Sequence, residues 1–168
     1  MEQNKNQNQP QEQDFNEIVK VRREKLANLK ASGNDPFVIT KFDFDNDSKN
    51  IKDNFDELEG KTVKIAGRIM TKRRQGKAGF MHIQDRDGLI QIYVRKDVTG
   101  DEQYEIFKKH DLGDIVGIEG MVMRTERGEL SIKASGYTHL SKALRPLPEK
   151  YHGLTNTDER FRRRYVDL

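Results

Sequence analysis

Residues 61–95, KTVKIAGRIMTKRRQGKAGFMHIQDRDGLIQIYVR, contain three stretches in which apolar side chains fall at every second position. Val63, Ile65, Gly67 and Ile69 alternate with Thr62, Lys64, Ala66 and Arg68. Met81 and Ile83 alternate with Phe80, His82 and Gln84, and Ile90, Ile92 and Val94 alternate with Leu89, Gln91, Tyr93 and Arg95. A period of two sends successive side chains to opposite faces, so each stretch predicts a strand with one buried face. Asp87-Gly88 is a tight-hairpin pair and joins the second strand to the third. The segment Arg73 to Gly79, with two glycines and the bases Arg73, Arg74 and Lys77, predicts a mobile basic loop between the first and second.

Outward from this core, Asp101 to His110 reads as a helix with Tyr104 and Phe107 on its apolar side. Two further strands, Asp114 to Arg124 and Glu129 to Leu140, flank a turn at Thr125 to Gly128. Three strands, a helix and two strands over residues 61–141 predict a mainly β fold with helical appendages. The arrangement is the five-stranded Greek-key barrel of the OB-fold, whose second and third strands form the binding face. Residues 14–60 form an N-terminal helical appendage. Asp14 and Glu17 have capping-box spacing, and Phe15, Ile18, Val21, Leu26 and Leu29 supply a stripe that Gly33 and Pro36 end. Lys20, Arg22, Arg23, Lys25 and Lys30 fall on the exposed side. A second helix is expected from Ser48 to Glu59, with Ile51, Phe55 and Leu58 at helical spacing. Residues 1–13, mostly Asn and Gln, predict a disordered tail. Residues 142–168 read as a linker.

At 168 residues, the chain has room for one domain with attachments. With 35% charged and 33% hydrophobic residues, its core must be small. No apolar run approaches the length of a membrane span, and the N-terminus has no hydrophobic signal region, so a cytoplasmic protein is expected. The absence of cysteine excludes disulfides, thiolate zinc and a cysteine nucleophile. His82, His110, His139 and His152 are scattered without ligand spacing, and no metal site is expected. Gly76-Lys77-Ala78-Gly79 lacks the spacing of a phosphate-binding loop, and nothing resembles a catalytic apparatus.

The net charge is only +3, but it is segregated. Lys61, Lys64, Arg68, Lys72, Arg73, Arg74 and Lys77 fall between residues 61 and 80 with no acid among them, a field suited to a polyanion. If Met81 and Ile83 point inward, Phe80 points outward beside those bases, where an aromatic ring can stack on an unpaired base. It could also cover the barrel mouth or meet another domain. Gln91 shares that outer face and can both donate to and accept from a base edge, though a strand Gln is commonly just solvated. Glu129 can accept from a base N–H or merely balance Arg124 or Arg127. Arg68, Lys72, Arg74 and Lys77 are expected phosphate contacts. The residues leave open a generic single-stranded nucleic-acid binder and a non-catalytic tRNA-binding protein.

Several segments resemble the N-terminal portion of the class II lysyl-tRNA synthetase family: RREKLANLKASG (22–33), AGRIMTKRRQGKAGFMHIQD (66–85), GLIQIYVRKD (88–97), FKKHDLGDIVGIEG (107–120), GELSIKA (128–134), KALRPLPEKYHGL (142–154) and DERFRRRYVDL (158–168). The barrel alone is shared with aspartyl and asparaginyl enzymes; the last two segments point to lysine. The resemblance implies a domain that grips the uridine-rich anticodon loop of lysine tRNA, with Phe80 stacked on the central uridine, Arg73 and Gln91 contacting it, and Glu129 on the first anticodon base. It gives His82 no role. It implies no cofactor for these residues, but ATP and magnesium, lysine activation and a homodimer for a full-length ligase. Residues 142–168 would then lead into a catalytic domain absent from this chain, so a fragment of a longer enzyme is expected.

Overall fold

The computed structural model describes residues 9–147 together with 161 and 162. Most of the expected tail and linker therefore lie outside the described residues. In chain order the elements are α1 (Gln9–Ala31), a 3-10 turn (Pro36–Val38), α2 (Ser48–Asp53), α3 (Phe55–Leu58), β1 (Thr62–Gln75), β2 (Ala78–Gln84), β3 (Leu89–Arg95), α4 (Lys96–Thr99), α5 (Asp101–Lys109), β4 (Ile115–Arg124) and β5 (Leu130–Ser141). The strands close in the order β1-β2-β3-β5-β4, with β3 and β5 parallel and the other pairs antiparallel. This is the expected barrel.

The alternating residues of the three diagnostic stretches fill its interior. Ile65, Ile69, Met81, Ile83, Ile92 and Val94 are fully buried against Val116, Ile118, Val122 and Ile132 from β4 and β5. Phe107 of α5 plugs one end. Its ring rests on Gly79, where an added Cβ would come within 2.5 Å of it, so only glycine admits the plug at that strand position. Tyr104 secures the same helix by donating its hydroxyl proton toward the Gly76 and Ala78 carbonyls, at 3.1 and 3.2 Å.

Four expectations need correction. First, α1 begins at Gln9, inside the expected tail, so Asp14 lies within the helix rather than capping it. Second, α1 docks by charge. Phe15, Ile18 and Val21 are exposed while Arg22 is buried, donating from one guanidinium nitrogen to the Ala143 and Arg145 carbonyls (3.2 and 3.1 Å). Lys25 pairs with Asp111 at 2.8 Å. Polar anchors, which no helical periodicity reveals, hold the later half of the helix, where Leu26 and Leu29 stay half-buried while the earlier part of the apolar stripe faces solvent. Third, the Ser48–Glu59 helix is broken at Asn54, whose backbone (φ −115°, ψ 31°) separates α2 from α3, although Ile51 and Phe55 are buried as expected. Fourth, Arg73 to Gly79 is not a mobile loop: β1 runs to Gln75, and a two-residue turn with Gly76 at φ 62° leads directly into β2.

Candidate nucleic-acid interface

An irregularity in β1 decides which side chains reach the binding face. Up to Ile69 the odd-numbered residues point into the barrel; a β-bulge between Ile69 and Thr71 absorbs Met70 and inverts the alternation. Beyond it Lys72 pairs with the inward Met81, while Thr71 and Arg73 pair with His82 and Phe80 on the outer face. Were Met70 instead kept in the ladder, unbroken alternation would point Arg73 into the core and Lys72 into solvent.

The consequence is a pair of cross-strand rows. Arg73, Phe80, Tyr93 and Lys133 lie opposite one another across β1, β2, β3 and β5; Thr71, His82, Gln91 and Ser131 form the parallel row two residues along. At about 3.3 Å per strand residue the rows are about 7 Å apart, so a base lying on the first can present its edge to the second. In the first row Phe80 and Tyr93 stack with centroids 4.8 Å apart and planes inclined by 25°, and the Arg73 guanidinium lies 5.5 Å from the Phe80 centroid. Such a half-exposed aromatic pair flanked by cations suits an unpaired, negatively charged strand.

In the second row the carboxylate of Glu129, which immediately precedes β5, meets two donors. His82 Nε2 lies 3.2 Å from Glu129 Oε1. With its amide turned to satisfy both groups, Gln91 donates its NH2 to Glu129 Oε1 at 2.8 Å. The hairpin holds Glu129 from behind: its N–H donates to Thr125 Oγ1 (3.1 Å) and its carbonyl accepts from the Thr125 N–H (2.9 Å). The first row, with Gln91 of the second and Glu129 at its edge, lines a cleft of about 690 Å³ together with Arg74, Arg95, Met123 and Arg127.

The structure thus gathers Arg73, Phe80, Gln91, Glu129 and Arg74 around one cleft. Three expected phosphate contacts are elsewhere. Lys72 turns inward, donating to the Lys108 and His110 carbonyls (2.9 and 2.8 Å) at the end of α5 and lying 4.9 Å from the Phe107 centroid. Burial pushes its ammonium down to about 8, against the opposing pull of Asp111. Arg68 donates to the Gly113 carbonyl at 2.9 Å, in the loop before β4. Lys77 is exposed in the β1–β2 turn and does not line the cleft. Gln91 is buried and its NH2 is committed to Glu129, so of the two amide functions expected to read a base, the donor is engaged within the protein.

Sequence reasoning passed over Tyr93 and Lys133. Tyr93 stands two positions from Gln91 in the same alternation, and that spacing could have identified it. Thr71 carried no such signal, because the bulge hides its face.

The histidines are less scattered than their spacing suggests. His110, Asp114 and His139 converge, with ligating atoms within 4.8 Å of one another. Asp114 is already engaged by Lys142 Nζ at 2.9 Å and by the Ala143 N–H at 2.8 Å, so the cluster is a buried ion-pair network beneath α1. Burial alone would raise the Asp114 carboxyl, but hydrogen bonds from His110 and His139, and then from the Ala143 N–H and Lys142, hold it well below the usual carboxylate range. Burial lowers the His110 imidazole to about 4, against the opposing hydrogen bond to Asp114.

Residues 63–140 match the tRNA anticodon family model, described as an OB-fold nucleic acid binding domain. The chain is 54% identical over 163 residues to the lysine–tRNA ligase of Lactococcus lactis subsp. lactis (strain IL1403), covering 93% of this chain and 33% of that protein. It is 55% identical, with the same coverage, to the lysine–tRNA ligase of Streptococcus pneumoniae (strain D39 / NCTC 7466). It therefore spans about a third of the length of these curated relatives.

Proposed function

We propose that this chain, which carries the anticodon-binding OB domain of the lysine–tRNA ligase family, recognises the anticodon loop of lysine tRNA by holding unpaired uridines across the two rows of its outer face. The single observation that carries the reading is the juxtaposition of the Phe80–Tyr93 stack with the Glu129 carboxylate at the edge of one cleft. The stack supplies affinity for any base, since every base has a π face. The carboxylate supplies selection. It accepts from the N3–H of uracil, whereas unprotonated cytosine turns a lone pair toward it and is repelled. A central uridine stacks on Phe80 beside Arg73 and Gln91, and the first anticodon base meets Glu129. Arg74, Arg95 and Arg127 draw the phosphates in.

The complete ligase, in this reading, is a cytoplasmic homodimer that activates lysine with ATP and magnesium and esterifies it to tRNA, using parts of the enzyme beyond this barrel. A generic single-stranded binder would show the same salt dependence without the base preference. Titration of the chain with a lysine anticodon stem-loop, and with variants carrying cytosine at the first or central position, separates the two. Equal affinity for all three loops refutes anticodon recognition.

A further inference from the structure

His82 sits in the second row with both ring nitrogens engaged. Thr71 Oγ1 lies 2.8 Å from its Nδ1, and Glu129 Oε1 lies 3.2 Å from its Nε2. For a neutral ring, the carboxylate at Nε2 and the hydroxyl at Nδ1 together favour one arrangement of protons. Thr71 Oγ1 already accepts from the His82 backbone N–H at 3.3 Å, and its own proton is free to point at Nδ1. Nδ1 is then an acceptor, and the ring proton must sit on Nε2, aimed at the carboxylate. The other tautomer would set two donors against each other at Thr71 unless the hydroxyl turned away, and would turn the Nε2 lone pair toward Glu129.

We infer that His82, fixed by Thr71 in its Nε2–H tautomer, is a positioning residue that aims the Glu129 carboxylate and thereby sets preference for a base with an N–H at the first anticodon position. The inference rests on the anticodon reading above. Glu129 lies outside the strands on a hairpin, with its side chain 54% exposed, and a carboxylate there would otherwise sample several rotamers. Donation from both Gln91 and His82 to the carboxylate restricts it. His82 acts through Glu129 and needs no contact with the RNA. Thr71 reaches its place only because of the bulge at Met70, so the irregularity that exposes Arg73 also fixes the imidazole.

Two measurements on the full chain test this. Nitrogen NMR of the free protein with the imidazole neutral should show a protonated Nε2 and an unprotonated Nδ1; the opposite assignment overturns the inference and leaves anticodon binding untouched. Competition between stem-loops with uracil or cytosine at the first position should show preference falling about fivefold in His82→Ala, the worth of one hydrogen bond. His82→Gln should restore most of it, because its amide nitrogen can stand where Nε2 stood. In a Glu129→Gln background, His82→Ala should change nothing further. Discrimination at the central base, which stacks on Phe80 beside Arg73, should be unaltered throughout. Unchanged first-position preference in His82→Ala, or equal loss at both positions, overturns the positioning role. A wild-type protein with no first-position preference instead refutes the anticodon reading itself, and this inference with it.

Discussion

Removing the Phe80 ring separates a binding role from a structural one, because the structure assigns the two different magnitudes. Phe80 is half-buried on the outer face and its main partner is Tyr93, 4.8 Å away. Truncation to Ala opens no sealed cavity, so the stability loss should be limited to the aromatic pair and some covered apolar area, about 1 kcal/mol. Phe107, fully buried as the plug, provides the contrast: Phe107→Ala should cost about 3 to 5 kcal/mol. Binding should respond in the opposite order among folded proteins. A base stacked on an aromatic is worth about 1 to 3 kcal/mol, so Phe80→Ala should weaken stem-loop binding by roughly 5- to 150-fold. Phe80→Tyr, which keeps the ring, should lose little. Chemical denaturation and fluorescence anisotropy with a labelled stem-loop measure the two quantities on the same sample. If Phe80→Ala destabilises the fold as severely as Phe107→Ala while affinity in the folded fraction is unchanged, the ring is core and the proposed platform does not exist.

Replacing Arg74 and Arg127 by Gln should reduce the slope of log affinity against log salt by about 0.7 for each phosphate that is no longer neutralised, whereas Lys72→Met should leave the slope unchanged, since Lys72 is spent on α5; a slope that responds to Lys72 instead contradicts the assigned orientation. Glu129→Gln should lower preference for uracil at the first anticodon position by up to about 2 kcal/mol in stem-loop competition while sparing the central base. Gly79→Ala should destabilise by about 1 to 3 kcal/mol, read by denaturant midpoint, because its Cβ would fall 2.5 Å from the Phe107 ring. The His110 imidazole, lowered by burial to about 4, binds its proton more weakly folded than unfolded, where its ordinary value is 6.5. Stability should therefore fall as pH drops from about 6.5 to 4, by about 3 kcal/mol, and His110→Leu should flatten that part of the profile.

The barrel was legible because the signals for it are local and repeated. Each strand between Thr62 and Arg95 buries one face, and burial enforces the period of two that the sequence displays. The site was legible only where that period runs unbroken. Phe80 and Gln91 lie on regular strands, so their outward direction followed from Met81, Ile83, Ile90 and Ile92. Glu129 was placed by the turn chemistry of Thr125 to Gly128. Lys72 and Arg73 were not separable, since both follow Met70 and differ only in which side of the bulge register they inherit. The docking of α1 was hidden for another reason. Its determinants, Asp111 and Lys142, are 86 and 117 residues from Lys25 in the chain, and a helical wheel contains no information about partners that distant.

The failure at Lys72 and the success at Phe80 have one cause, and it bears on why the interface is built as it is. A barrel strand must bury every second side chain, so with Met70 in unbroken alternation β1 would keep Ile65 and Ile69 in the core but turn Arg73 inward, away from Phe80. Leaving Met70 out of the pairing resolves the conflict. The half of β1 before Met70 keeps its apolar side chains inward, and the half after it turns Thr71 and Arg73 toward the cleft. The inward position thereby created falls to Lys72, which is tolerated because the α5 carbonyls and the Phe107 ring receive it at the barrel's end. Deleting Met70 should therefore close the bulge without turning the face: Ile69 still pairs with Ile83 and Thr71 with His82, now in unbroken alternation, so Arg73 stays beside Phe80 and stem-loop binding is retained. Loss of binding in a folded deletion variant would show that the bulge places Arg73 by more than the parity of the strand.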